Sequence, residues 1–157
     1  MFPKNDQIER LGSPDISLAG LQIWVHGRQF PNAQDYWDGN WLNVTAHCGA
    51  EGADVWISGP RVHLSEVLRW RDEAVEMHRT LSGKAELSCM EPELAVELKM
   101  ASLGHVAMIV RITPNLMAQQ HSFEFTIDQS HLPGLLRGCG QVLQEYPIRD
   151  PARTVKV

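Results

Sequence analysis

The sequence predicts an α+β protein: a curled, mainly antiparallel sheet of about seven strands with two amphipathic helices packed on one face. Apolar residues alternate with polar ones in short segments bounded by Gly, Pro, Asn and Asp, the period of strands with one wet face. Two longer segments switch to a repeat of three and four residues, the period of a helix. The segments run strands, helix, strands, helix, and no linker-like interval divides the 157 residues. A single domain over 1–157 is therefore expected, with loose termini at 1–15 and 148–157.

The first strand places Leu21, Ile23 and Val25 against Gln22, Trp24 and His26. A long connection follows over 27–40, carrying Gly27, Pro31, Asn32 and the turn dipeptide Asp38-Gly39. Leu42, Val44 and Ala46 form a second strand, and Val55 and Ile57 a third that closes at Gly59-Pro60. Leu64, Val67, Leu68, Ala74, Val75 and Leu81 fall at helical spacing, with Arg71 and His78 as polar members of that stripe and Trp70 and Met77 beside it, widening it. Ser82-Gly83 supplies a stop. Alternation returns at 84–89, 94–100, 106–112 and 122–127. The second helix follows from Leu132, Leu135, Leu136, Cys139, Val142, Leu143 and Tyr146, with Asp128 or Ser130 as its cap and Pro133 tolerated in its first turn. Gly138 and Gly140 each cost a helix interior about 1 kcal/mol relative to Ala, which a closely packed neighbour would rationalise.

Composition excludes several classes. With 43% hydrophobic and 21% charged residues the chain can bury a core unaided. A net charge of −5 disfavours a phosphate backbone, so no nucleic-acid partner is expected. No stretch reaches the roughly 18–20 apolar residues of a membrane helix, so no membrane is expected either. Cys48, Cys89 and Cys139 are scattered and form no CxxC, which predicts reduced thiols in the cytoplasm.

Catalytic and metal chemistry find little support. There is no HExxH, CxxC, phosphate-cradling loop or nucleophile elbow. His47 and Cys48 point to opposite faces of one strand and cannot share a metal locally. Cys89 and Cys139 lie on apolar stripes, where burial makes a thiol inert; Cys48, next to a turn, is the one thiol open to reactivity, and a structural cysteine is the favoured reading for it too. Asp35 and Asp38 flank Tyr36-Trp37, but Asp38 before Gly39 is better read as a turn residue bonding local backbone. A hydrolase would need Asp35, His47 or Cys48 to converge. No cofactor, no metal and no enzyme are the expectations.

The unusual feature is aromatic. Five tryptophans are present, and Tyr36, Trp37 and Trp41 crowd one loop with Phe30 nearby. Trp24, Trp41 and Trp56 fall opposite the aliphatic side of their strands. Such a set is either a satellite hydrophobic cluster under the loop or a recognition surface, since Trp, Tyr and Arg dominate binding hot spots. On the second reading the binding residues are Trp24, Arg28, Tyr36, Trp37, Asp38, Trp41 and Trp56.

The run from Arg28 to Trp41, with WDGNWL at its centre, resembles a family pattern, as do Met90-Glu91-Pro92 and Asp128 through Pro133. Together they are similar to the WapI-like immunity proteins over about residues 16–148. The resemblance implies a cytoplasmic bacterial protein that neutralises a cognate toxin, in the type system a tRNA-cleaving nuclease. It supplies no family binding residues, and Trp37, Asp38, Asn40, Trp41 and Asp128 have structural reasons of their own. The expected function is non-catalytic binding of a protein partner, a basic toxin domain. The alternative is a small-ligand or regulatory module holding a metabolite between Trp24, Trp41 and Trp56. Homodimerisation through an exposed strand or the Trp face is compatible with both.

Overall fold

The alternation at Leu21, Ile23 and Val25 becomes strand β2 (Leu21–Arg28), which pairs with a short β1 (Ile16–Leu18) and with β3 (Trp41–Ala50). Strand β3 pairs in turn with β4 (Ala53–His63). Helix α1 (Leu64–Thr80) leads to a second meander of β5 (Lys84–Ser88), β6 (Leu94–Met100), β7 (His105–Ile112) and β8 (Ser122–Asp128). Helix α2 (Leu132–Glu145) and a last helical turn, α3 (Pro151–Thr154), complete the order. The computed structural model describes residues 9–154, and the loose ends expected at 1–8 and 155–157 lie outside the described residues.

The class expected from the sequence holds, and its count is refined. The strands form two antiparallel sheets, ordered β1-β2-β3-β4 and β5-β6-β7-β8, in place of one curled sheet of about seven. The additional strand is β1, too short for periodicity to reveal. The division has a packing reason: each meander has one apolar face, and two facing sheets cover each other's. Strands β3 and β4 meet β7 and β8, α1 lies against β5 and α2, and α2 closes on β1. The inward residues of both sheets and both helices join in one core. No helix is long and apolar enough to cross a membrane among the described residues.

Helix α1 buries a stripe turned from the expected one. Val67, Trp70, Ala74 and Met77 face the core, Arg71 and His78 are half-buried, and Val75 and Leu81 are exposed. Its stop is Leu81, left-handed at φ 52°, whose N–H donates to the Met77 carbonyl. In α2, a Cβ on Gly138 would lie 2.7 Å from the Asp15 carbonyl, so glycine is what lets the helix approach β1. Gly140 faces open space and its glycine has no packing explanation.

Residues 12–15, expected to be loose, are held. The Val25 N–H donates to the Asp15 carboxylate at 2.6 Å, and the Trp24 indole N–H donates to the Gly12 carbonyl at 2.9 Å. The C-terminal segment is likewise fastened through Pro147 and Arg149, as described below.

The meanders sort the connections to two ends. Segments 29–40, 89–93 and 113–121, the start of α1 and residues 146–150 gather at one, the loop end. The turns at 19–20, 51–52, 81–83, 101–104 and 129–131 lie at the other.

Candidate functional site

The long β2–β3 connection owes its shape to Asn40. Its side chain is fully buried, with Nδ2 donating to the carbonyls of Tyr36 (2.6 Å) and Arg149 (2.8 Å). Its Oδ1 accepts from the Arg149 N–H (2.9 Å) and from Arg28 Nη1 (3.2 Å). Both amide hydrogens and both lone pairs are thereby used, the condition for burying a carboxamide without penalty. Arg28 also donates to the carbonyls of Gly39 (2.6 Å) and Pro147 (2.5 Å), and Arg149 Nη1 to that of Ala33 (2.5 Å). Burial, then the neighbouring Arg149, hold the Arg28 pKa below its ordinary value. Gly39 sits where a Cβ would come within 2.7 Å of the Ala33 carbonyl. The Asp-Gly-Asn core of the WDGNWL block is thus a knot tying the loop to the C-terminal segment.

Above the knot lies a fully buried imidazole. His63 Nδ1 accepts from the Ser65 N–H (3.2 Å), capping α1, while Nε2 reaches the Trp37 carbonyl at 3.1 Å. Because Nδ1 is an acceptor there, the ring carries its hydrogen on Nε2 and donates it to that carbonyl. Three aromatic rings gather on it: Trp37 stacks at 5.4 Å, Trp41 meets it edge-on at 5.0 Å and Tyr36 is tilted at 5.5 Å. Trp41 is buried, whereas Trp37 is 51% and Tyr36 42% exposed.

Glu66 completes the capping box. One carboxylate oxygen accepts from the His63 N–H (2.8 Å), and the other from the Met90 N–H (2.7 Å). Burial raises its pKa, with the two amide bonds opposing. Further along the same end, the Thr113 N–H donates to the Glu93 carbonyl (2.9 Å), and its hydroxyl oxygen accepts from the His121 N–H (3.1 Å). Asn40, His63, Glu66 and Thr113 are the buried polar side chains among the described residues. Each fastens a segment at the loop end.

The outer face of the first sheet is arranged differently. Trp24 and Trp56 stack at 5.8 Å and 17°, and His47 stacks on Trp56 at 4.2 Å. His47 bonds Gln22 Oε1 (3.0 Å) and Asp54 Oδ1 (2.6 Å), and His26 bonds the Thr45 hydroxyl (2.8 Å). Trp24 is 5% exposed, shielded by its partner and by the segment through Gly12. The three tryptophans expected to enclose a metabolite do not come together: Trp24 and Trp56 cover each other, and Trp41 belongs to the His63 cluster.

Of the binding candidates, the structure joins Tyr36, Trp37 and Trp41 around His63, with Asp38 in the same loop and Arg28, the last residue of β2, bonded to the loop's Gly39 carbonyl. Trp24 and Trp56 form a separate pair. The Asp38 N–H donates to the Asp35 carboxylate at 2.9 Å, so Asp35 supplies the local turn bond expected of Asp38. The hydrolase constellation does not assemble. Asp35 is in the loop, His47 is on the outer face, and Cys48 is fully buried on the inner one, where burial and then Asp54 push its thiol up to about 12. The structural reading of Cys48 fits: β3 continues through Ala50, which keeps this thiol inside the sheet. Burial pushes Cys139 up to about 12 and Cys89 up as well. No group of three or more His, Cys, Asp or Glu is placed to hold a metal among the described residues.

Sequence reading missed His63 and Glu66, although their spacing of three just before an apolar run is that of a capping box with His in place of Ser or Thr. Thr113 left no such signal.

Compared with known proteins, residues 12–147 match the family described as the immunity protein WapI-like family. No curated protein and no solved structure matches the chain.

Proposed function

The chain belongs to the WapI-like immunity protein family, and on that premise we propose that it is a non-catalytic cytoplasmic protein that blocks a nuclease-type toxin by binding it. Family membership supports a toxin-neutralising role in general, with a toxin as protein partner. The finer reading rests on one observation: two large aromatic side chains, Tyr36 and Trp37, stand exposed on a loop whose backbone is locked from beneath by Asn40, His63 and Arg149. Exposed aromatics on a rigid support lose little entropy on docking and serve as interface anchors. Asp35 and Asp38 beside them suit a partner that is basic because it grips nucleic acid. In this reading Tyr36, Trp37 and Asp38 touch the toxin, Arg28 and Trp41 hold the loop in shape, and Trp24 with Trp56 forms a flanking stacked pair.

The test is direct. Toxin domains encoded beside the gene, each inactivated by mutation, are purified and titrated with the chain by calorimetry. The active forms are assayed for nucleic-acid cleavage with and without it. A complex of nanomolar affinity and inhibition of cleavage at equimolar ratio are expected. A toxin domain that neither binds nor loses activity refutes the proposal.

A further inference from the structure

The loop end carries more than the aromatic loop. Nine large apolar side chains are exposed among the described residues, and six of them lie on three segments there: Phe30, Tyr36 and Trp37 on 29–40, Met90 on 89–93, and Leu116 and Met117 on 113–121. The segments are linked by bonds already described. Trp37 is joined through His63 and Glu66 to Met90, and Glu93 through Thr113 to His121. Within 113–121, Asn115 accepts from the N–H groups of Met117, Ala118 and Gln119, so this loop too is set in advance. Met117 is nonetheless 96% exposed. A methionine held out on an ordered turn contributes nothing to the core and offers an adaptable apolar contact.

Charge on these segments has one sign. They contain Asp35, Asp38, Glu91 and Glu93, and none of the chain's 14 Lys and Arg residues. The arginines that approach have acidic or carbonyl partners: Arg28 and Arg149 on loop carbonyls, Arg61 between Glu91 and Glu93 at 3.8 Å from each, and Arg111 beside Glu97 at 3.9 Å. Next to Met117 in the chain, Leu116 lines a cleft of about 270 Å³ together with Pro92, Arg111, Thr113, Gln119 and His121. That size admits the tip of a side chain from a partner.

We infer that the three segments form one docking surface for a basic protein face, with Trp37 at one margin, Met90 between, and Met117 with the Leu116 cleft at the other. This rests on the toxin-binding reading and assigns it an area wider than the aromatic loop. Carboxylates steer the basic face in and pair at the rim, while lysine or arginine stems lie across the indole and the thioethers.

The experiment uses the inactivated toxin domain encoded beside the gene and four single variants of the full chain. Met90→Lys and Met117→Lys place a cation on the surface at exposed positions. Val75→Lys on the exposed side of α1 and Leu103→Lys at the turn end, both at exposed apolar positions away from the three segments, are the controls. Circular dichroism melts establish that each variant is folded. Both methionine variants are expected to weaken binding at least about tenfold, the controls by less than about threefold, and wild-type affinity to fall as salt rises. Wild-type binding that survives both methionine changes overturns the three-segment surface and leaves the toxin-binding reading standing. Absence of wild-type binding overturns both.

Discussion

The two ends of the protein reverse the chain by opposite means. At the turn end the reversals are short and the backbone absorbs the strain. Ala19, Leu81 and Leu103, the non-glycine residues with positive φ among those described, all lie there, with Gly52, Gly83 and Gly104 beside them. At the loop end the three long connections contain no positive-φ residue, and their shape is held by buried side chains. A left-handed Leu costs about 1–2 kcal/mol, a small local charge that serves only to turn the chain. A buried amide or carboxylate is tolerable only when every bond is met. The costlier solution stands where apolar side chains are held out to solvent, as expected where stiffness serves a contact.

The contrast can be broken most severely at Asn40. Asn40→Ala strands the Arg149 N–H and the carbonyls it paired with, and should lower stability by about 3 kcal/mol in urea denaturation. A loss under about 1 kcal/mol would mean the knot does not govern the loop. Glu66→Gln comes next: the amide offers one acceptor where two backbone N–H groups require two, a cost of about 1–2 kcal/mol at pH 7. It also carries a pH signature. Burial raises Glu66 above its ordinary 4.5, so the native state binds this proton more readily than the unfolded chain. The cost of the buried carboxylate is therefore full above the folded pKa and is relieved as pH falls toward 4.5. Wild type should gain on Glu66→Gln as denaturation midpoints are followed from pH 7 to 5.

At the turn end the sign reverses. Leu103 is left-handed at φ 60° and 93% exposed, so Leu103→Gly loses no packing and should raise stability by about 0.5–1 kcal/mol, measured as a higher melting temperature. The smallest effect belongs to Met117→Ser, which should move stability by less than about 0.5 kcal/mol. A larger change would show that this side chain serves the fold rather than a contact.

Local order was readable in the sequence wherever neighbours in the chain decide it. Alternation found β2 through β8 because each keeps one face on the core. The cap expected on α2 is displaced: Asp128 accepts from the Ser130 N–H at 2.8 Å and caps the short 3-10 turn Gln129–His131, and α2 itself begins without a side-chain cap. The close approach expected at a glycine of α2 is real at Gly138 and missing at Gly140. What escaped depends on partners distant in sequence. The division into two sheets follows from how the meanders face each other, which no local period records. The α1 stripe was centred wrongly because Val75 and Leu81 are apolar yet outside, while Trp70 and Met77, expected at its margin, are fully buried in the core. Of the candidate site, the WDGNWL block was conspicuous, but Asn40 and Arg149 are 109 residues apart. Nothing at either position announces the other.

That span has a consequence for synthesis. On the ribosome, the aromatic loop emerges early and must wait, its central amide without a mate, until translation has passed residue 149. On the toxin-binding proposal the contact surface is therefore finished last, and a prematurely terminated chain should be unable to engage the toxin.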